Sequence, residues 1–126
     1  DGEYMGVLEI EGTAGISTSG DYEKYFVENG KKYHHILDPS TGYPAESGLR
    51  SVTVVCRDDG RTRKNAGLLS DGLSTACFVL GKEKALALLK EYGAEAVLID
   101  QDNKVTVTDG LKEDFSLLSK EYTVLK

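Results

Sequence analysis

Two consecutive helix-like segments constrain the fold more than any other feature of the chain. The first runs from about Ala66 to Leu80 and ends at Gly81, and the second runs from about Lys82 to Tyr92 and ends at Gly93. Glycine commonly ends a helix because it adopts the left-handed conformation without a steric penalty. The chain on either side of this pair is typical of short strands. Strands, two helices and again strands predict an α+β fold, in which an antiparallel sheet carries both helices on one face.

The strand boundaries follow from turn signals. Val7–Ile10 and Ala14–Thr18 are predicted as two strands separated by the turn residues Glu11 and Gly12. The Asn-Gly pair at 29–30 predicts a tight hairpin between strands at 25–27 and 32–37. The segment DPSTG at 38–42 then breaks the second strand. Further strands are predicted at 51–57, 96–99, 105–108 and, more weakly, 122–125.

Composition limits the class of protein. A chain of 126 residues with 40% hydrophobic and 29% charged residues is expected to form a single domain, residues 1–126. The net charge of −6 argues against binding to nucleic acid or to an anionic membrane. No apolar run is long enough to span a bilayer, and the first ten residues lack the pattern of a signal peptide. Cys56 and Cys77 lack metal-ligand spacing and are predicted to be buried free thiols.

The first helix carries the most informative polar residues. Its predicted core stripe consists of Leu69, Leu73, Ala76, Cys77 and Leu80. On the opposite side, Asp71 and Thr75 lie one turn apart among apolar neighbours, so the helix is expected to be largely buried and Asp71 at least partly desolvated. An Mg²⁺ ion bound by both side chains would meet that need. Alternatively, Asp71 caps a turn or pairs with an arginine, and Thr75 bonds back to the carbonyl of Asp71.

Both histidines of the chain lie in HHILDPSTGYP at 34–44. Strand alternation places His35 and Leu37 on one side of the sheet, with His34 and Ile36 on the other. A histidine at a strand end could act as a general base, because its unperturbed pKa lies near neutrality. The alternative, which the residues alone favour, is a pair of half-buried strand histidines next to a tight turn.

Four motifs in a fixed order carry a family resemblance: TSGDYEKYF at 18–26, HHILDPSTGYP at 34–44, SVTV at 51–54 and SDGLSTACFVLG at 70–81. Together they resemble the C-terminal part of the ApbE family, the FAD:protein FMN transferases, formerly labelled thiamine biosynthesis lipoproteins. The resemblance extends from about Thr13 to Thr108. It implies a T-fold-like architecture with two helices on an antiparallel sheet.

The resemblance also implies an activity, the Mg²⁺-dependent transfer of the FMN half of FAD to a Thr or Ser hydroxyl of a target flavoprotein. In the family pattern, the residues matching Asp71 and Thr75 bind the metal. The residue matching His35 lies by the flavin and is a candidate base for the acceptor hydroxyl. The strand backbone near Leu37 borders the cofactor.

The chain also departs from the family pattern. Members of the family are roughly twice as long or more, and their N-terminal half supplies a further metal ligand, so that half is an expected partner. The Ala-Asp-Ala of the family is Ser70-Asp71-Gly72 here. The family context is bacterial and extracytoplasmic, periplasmic or at the cell surface, with a lipid anchor that would lie outside this chain. A non-catalytic flavin-binding or structural half-domain and a plain interaction domain are the alternatives.

Overall fold

The computed structural model describes residues 4–19, 24–37, 48–57, 66–117, 120 and 122–125. In these parts of the chain, seven strands form one sheet: β1 Tyr4–Ser19, β2 Lys24–Leu37, β3 Leu49–Arg57, β4 Glu95–Asp100, β5 Lys104–Val107, β6 Phe115–Leu117 and β7 Thr123–Val124. Two helices, α1 Ala66–Leu80 and α2 Lys82–Tyr92, lie between β3 and β4 in sequence, and a 3₁₀ turn spans Asp109–Leu111. Within these residues, no helix is long and apolar enough to cross a membrane.

The sheet is almost wholly antiparallel. Its strands follow the order β2-β1-β3-β4-β5-β7, and β6 pairs with the N-terminal part of β1. Among the described strands, the pairing of β5 with β7 is parallel. The predicted α+β fold with a helix pair between strands is therefore confirmed.

Both helices pack on one face of the sheet, as predicted. From α1 and α2, the buried side chains of Leu73, Cys77, Ala85 and Leu89 contribute to one core. Alternate residues of β3 and β4 complete it, namely Val52, Val54, Cys56, Ala96 and Leu98. Successive side chains of a strand point to opposite faces of the sheet, so alternate residues of β3 and β4 face the helices.

The other face of the sheet is covered by the C-terminal segment. A second core there joins Leu8, Ile10, Val97, Ile99, Val105, Leu111 and Tyr122, with Phe115 packed against it. A Cβ atom at Gly6 would lie 2.6 Å from the Phe115 ring, so this close approach of β6 to β1 needs glycine. Neither β6 nor the 3₁₀ turn was predicted, because three-residue elements leave little periodicity in a sequence.

The predicted turn at Glu11 and Gly12 is wrong, because β1 is a single strand of 16 residues. Gly12 has φ +83, and the pairing of β1 with β2 shifts register between Gly12 and Ala14. The glycine therefore accommodates an irregularity inside a strand rather than a reversal of the chain.

The predicted hairpin across residues 28–30 is also wrong. β2 runs without interruption through the Asn-Gly pair and pairs along its length with β1, from Tyr4 opposite Leu37 to Ser17 opposite Lys24. The Asn-Gly pair lies at the register shift, where Gly12 is opposite Gly30 and Ala14 is opposite Val27. Long-range pairing satisfies the backbone of both strands and overrides the local turn preference.

The helix boundaries match the predictions. At the end of α2, Gly93 adopts φ 67, and the N–H groups of Gly93 and Ala94 donate to the carbonyls of Lys90 and Leu89. This is the Schellman arrangement that glycine favours. Gly81 separates the helices with φ 91.

The expectation that α1 is largely buried is wrong. Leu68 is 75% exposed, Val79 is 68% exposed, and Leu80, which was predicted to be in the core, is 42% exposed. The buried side of α1 instead carries two serines, Ser70 and Ser74, beside Leu73 and Cys77. The apolar pattern therefore predicted neither which side of α1 faces the sheet nor that the opposite side is exposed.

Candidate functional site

A layer of hydroxyl groups joins the middle of α1 to the end of β1. Strand alternation brings Ser17 and Ser19 to the side of the sheet that faces α1. Ser17 is 1% exposed, and from the helix Ser74 is also 1% exposed. Buried hydroxyls are tolerated where they find hydrogen-bond partners. This polar layer therefore sets how α1 lies on the strand.

Asp71 lies at the centre of the layer and is half-buried. The Ser17 hydroxyl donates to the Asp71 carboxylate, with Oγ 3.3 Å from Oδ1. The prediction that Asp71 is partly desolvated is confirmed. Ser17, which is 54 positions away in sequence, therefore restricts the orientation of this carboxylate.

The next turn of α1 adds two further hydroxyls. Ser74 Oγ and Thr75 Oγ1 both donate to the backbone carbonyl of Asp71, at 3.0 and 3.1 Å. Ser19 Oγ donates to Ser74 Oγ at 3.0 Å and lies 3.5 Å from Thr75 Oγ1. A chain of hydroxyls thus leads from β1 to the helix backbone at Asp71.

The back-bond of Thr75 is the contact that the alternative to a metal site predicts. It does not exclude a metal, because a hydroxyl that donates its hydrogen keeps lone pairs that can act as ligands. Thr75 is exposed, whereas Asp71 is half-buried, so the two ligand candidates lie at the boundary between the helix–sheet interface and solvent. The structure therefore brings Asp71 and Thr75 together in an arrangement compatible with both interpretations.

The donor set fits a hard cation. Mg²⁺ prefers oxygen ligands, often takes only one or two carboxylates from a protein, and keeps other positions for phosphate or water. Asp71 and Thr75 offer a carboxylate and a hydroxyl, with Ser17 as an outer partner of the carboxylate. No group of three or more His, Cys, Asp or Glu residues that could hold a metal occurs within the described parts of the chain. These residues therefore fit part of a magnesium site, with further ligands needed.

The histidine segment lies at the other end of β1. His35 is opposite Val7 and Leu37 is opposite Tyr4, whereas Ser17, the partner of Asp71, is opposite Lys24. Val7 and Ser17 are ten positions apart along β1, which corresponds to about 33 Å in a fully extended strand at about 3.3 Å per residue. His35 and Leu37 are therefore paired with the part of β1 before Gly12, whereas Ser17 lies after the register shift at Gly12–Ala14. The β2 side chains and residues 38–47, which include the DPSTG turn, lie outside the described residues.

The two cysteines are not part of this site. Both are free and buried, as predicted. Burial raises the pKa of each thiol from 9.0 to about 11. Thiols with so high a pKa are weak nucleophiles at neutral pH.

Ser17, Ser19 and Ser74 are site residues that the sequence analysis missed. A signal for them exists in the three consecutive hydroxyl residues at 17–19 and in the serines at 70 and 74, which are one helical turn apart beside Asp71. Neither pattern by itself indicates that the two segments meet. Only the packing of α1 on β1 shows it.

A model of the ApbE family matches residues 1–98, which include β1 to β3 and both helices. The chain belongs to the ApbE family. Among its relatives, the FAD:protein FMN transferase of Treponema pallidum is 37% identical over 110 residues, which is 86% of this chain and 28% of the relative. A protein of the same name from Klebsiella pneumoniae is 36% identical over 122 residues, 96% of this chain and 36% of the relative.

A third relative of that name, from Haemophilus influenzae, is 40% identical over 94 residues, 75% of this chain and 25% of the relative. This ApbE-family chain therefore spans between a quarter and just over a third of the length of these three relatives.

Proposed function

We propose that the chain carries the metal-binding part of a flavin transferase, which moves the FMN half of FAD to a Thr or Ser hydroxyl of a target flavoprotein. One observation carries the proposal. In a chain of the ApbE family, a half-buried carboxylate, Asp71, is held by Ser17 next to the hydroxyl of Thr75. The relatives named FAD:protein FMN transferase support the reaction class.

Asp71 and Thr75 are the residues that would hold Mg²⁺. When bound, Mg²⁺ supplies positive charge that offsets the negative charge on phosphate oxygens during transfer. The protein's own contribution is orientation. The Ser17 hydroxyl holds the Asp71 carboxylate, and the bonds from Ser74 and Thr75 to the Asp71 carbonyl tie that turn of the helix together.

His35 and Leu37 are assigned to the flavin. His35 has two proposed roles, contact with the flavin ring and acceptance of the proton from the acceptor hydroxyl. The first role needs no proximity to Asp71, because FAD is an elongated dinucleotide with its flavin and its pyrophosphate at different places. The second role requires the imidazole to reach the phosphate that Asp71 and Thr75 serve.

The proposed partners are FAD, a flavoprotein acceptor and the N-terminal half of the enzyme. Relatives of about three times this length support the proposal that contacts beyond this chain complete the site. The same observation favours a second candidate function for the isolated chain, a half-domain that binds flavin or packs structurally without chemistry. We also propose an extracytoplasmic location, periplasmic or at the cell surface, with any lipid anchor outside this chain. That location rests on the family resemblance.

A chimera tests the function with the rest of the protein present. In this chimera, called the Klebsiella chimera below, the present chain replaces the 122 matched residues of the Klebsiella relative. The chimera is incubated with FAD, Mg²⁺ and an acceptor flavoprotein, and covalent FMN on the acceptor is measured by in-gel fluorescence and mass spectrometry. Transfer is expected, and Asp71→Ala should abolish it. Asp102→Ala, which removes a carboxylate from an exposed turn, should leave transfer unchanged.

Three outcomes separate the candidates. Transfer by the chimera but not by the isolated chain would identify the chain as an incomplete part of the enzyme. A folded chimera without transfer would refute the proposed enzyme. Transfer that survives Asp71→Ala would remove Asp71 from the site.

A pair of histidine variants distinguishes the roles of His35, with His34→Ala as the neighbouring control. Loss of the acidic limb of the pH profile in His35→Ala would indicate a base. A raised KM for FAD with an unchanged pH profile would indicate flavin contact.

A further inference from the structure

The outer side of α1 is a stripe without charge. Leu68, Gly72, Thr75 and Val79 recur at helical spacing and are all exposed, Leu68 at 75% and Val79 at 68%. Large apolar side chains on the outside of a helix are usually covered by another element. This stripe has no cover within the described residues.

The second helix of the same layer shows what a solvated outer side looks like in this protein. The exposed residues of α2 include five charged ones, Lys82, Glu83, Lys84, Lys90 and Glu91. Both helices rest on the same face of the same sheet, so their outer sides occupy equivalent positions in the helix layer. The absence of charge on the α1 stripe therefore indicates a contact surface rather than a general property of the helix layer.

A groove lies beside the stripe, between α1 and α2. It encloses about 490 Å³ and is lined mainly by apolar side chains, including Leu69 and Ala76 of α1 and Leu88 and Tyr92 of α2. Tyr92 remains 53% exposed at its edge. Gly72 and Ala76 are small, which allows another backbone to approach α1 closely.

We propose that this surface, the α1 stripe with the adjoining groove, docks the part of an ApbE-family polypeptide that this chain does not include. The chain spans 28% and 36% of the Treponema and Klebsiella relatives, so most of such a protein is available to cover the surface. The occupant presents apolar side chains to Leu68 and Val79 and fills the groove.

The place of the stripe also explains how the docked part could complete the site. Thr75 belongs to the stripe, and Asp71 lies one turn away on the same helix. A polypeptide seated on the stripe would lie next to this pair. That last step rests on the proposed function, whereas the docking itself depends only on the exposed apolar surface.

Thiol labelling tests the docking without reference to activity. Val79→Cys is prepared in the isolated chain and in the Klebsiella chimera, and its rate of reaction with an uncharged maleimide is measured at pH 7.5. The native Cys56 and Cys77 give little background, because they are buried and their pKa is raised to about 11. Ala87→Cys, at an exposed position of α2, is the matched control.

The labelling rate of Val79→Cys is expected to be at least about tenfold lower in the chimera than in the isolated chain. The labelling rate of Ala87→Cys should be equal in both. Equal rates for Val79→Cys in both proteins would overturn the proposal. Slower labelling of the isolated chain at higher concentration, with a doubled mass in sedimentation, would assign the surface to a second copy and also overturn it. A second chimera on the Treponema relative repeats the measurement on an independent scaffold. Because labelling needs no turnover, an inactive chimera with a protected Val79→Cys would refute the enzyme proposal alone.

Discussion

The two helices occupy the same layer but are held in different ways. α2 buries Ala85 and Leu89 and exposes charged residues, so its own sequence accounts for its position. α1 buries Ser70 and Ser74 alongside Leu73 and Cys77, and its outer side is uncharged. Ser74 has specific hydrogen-bond partners, Ser19 on β1 and the backbone carbonyl of Asp71, whereas the aliphatic side chains of α2 need only a matching volume. A helix that departs from simple amphipathicity in this way is where a functional site is expected.

The largest expected effect concerns the buried leucines. Leu89→Ala in α2 and Leu73→Ala in α1 should each lower the free energy of unfolding by about 2–5 kcal/mol, because each leaves a cavity in the shared core. Leu68→Ala on the exposed stripe should change it by less than about 0.5 kcal/mol in the isolated chain. Urea denaturation measures all three. A large loss for Leu68→Ala would mean that the α1 stripe is covered within the chain itself.

The next effect concerns the thiols, one of which lies where the helices meet. Cys77 Sγ lies 3.9 Å from the carbonyl oxygen of Ala85. With pKa values raised from 9.0 to about 11, Cys56 and Cys77 should react with a thiol reagent at pH 7.5 at least about 100-fold more slowly than in urea. Rapid labelling of the native chain would show that the core under α1 opens readily.

The same pKa shift sets the direction of a pH effect. Since burial favours the neutral thiol, the folded state holds its protons more tightly, and this contribution to stability is present below pH 9. It is lost as the pH rises from 9 towards 11. A Cys56→Ala/Cys77→Ala double variant should lose less stability than the wild type over that interval.

A smaller effect tests the hydroxyl layer. Ser17→Ala removes the hydroxyl that orients Asp71 and should weaken metal binding by the Klebsiella chimera about tenfold, the lower end of the usual effect of losing such a partner. Mn²⁺ binding followed by electron paramagnetic resonance measures this without turnover. Thr18→Val is the matched control, because the Thr18 hydroxyl contacts Thr53 at 2.9 Å on the other side of the strand. Equal affinities of the Ser17→Ala and unsubstituted chimeras would show that Ser17 does not position Asp71.

The smallest effect is that of replacing glycine by alanine, which should raise the free energy of unfolding at one helix and lower it at the other. Gly72→Ala should stabilise α1 by about 0.5–1 kcal/mol, because Gly72 is helical and a Cβ there meets nothing within 4 Å. Gly93→Ala should destabilise α2 by about 1 kcal/mol, because Gly93 has φ 67. Thermal melting of both variants checks the signs. A change of melting temperature in the same direction for both variants would contradict the assigned helix ends.

The sequence alone determined the elements whose signals are local. Both helix ranges, the β3 strand and the α+β class could be predicted, because Gly81 and Gly93 interrupt the helices and the β-branched residues of 51–55 favour a strand. The pairing of Asp71 with Thr75 was also predictable, since residues four apart on a helix are neighbours.

Only the tertiary structure decided what depends on distant segments. Gly12 and the Asn-Gly pair at 29–30 signal turns locally, yet both lie inside long strands, because the pairing of β1 with β2 satisfies the backbone over many residues. The rotation of α1, its hydroxyl contacts with Ser17 and Ser19, and its exposed stripe depend on packing between residues more than 50 positions apart in sequence. A periodic pattern shows that a helix has an apolar side, but only the surface that it meets determines which side is buried.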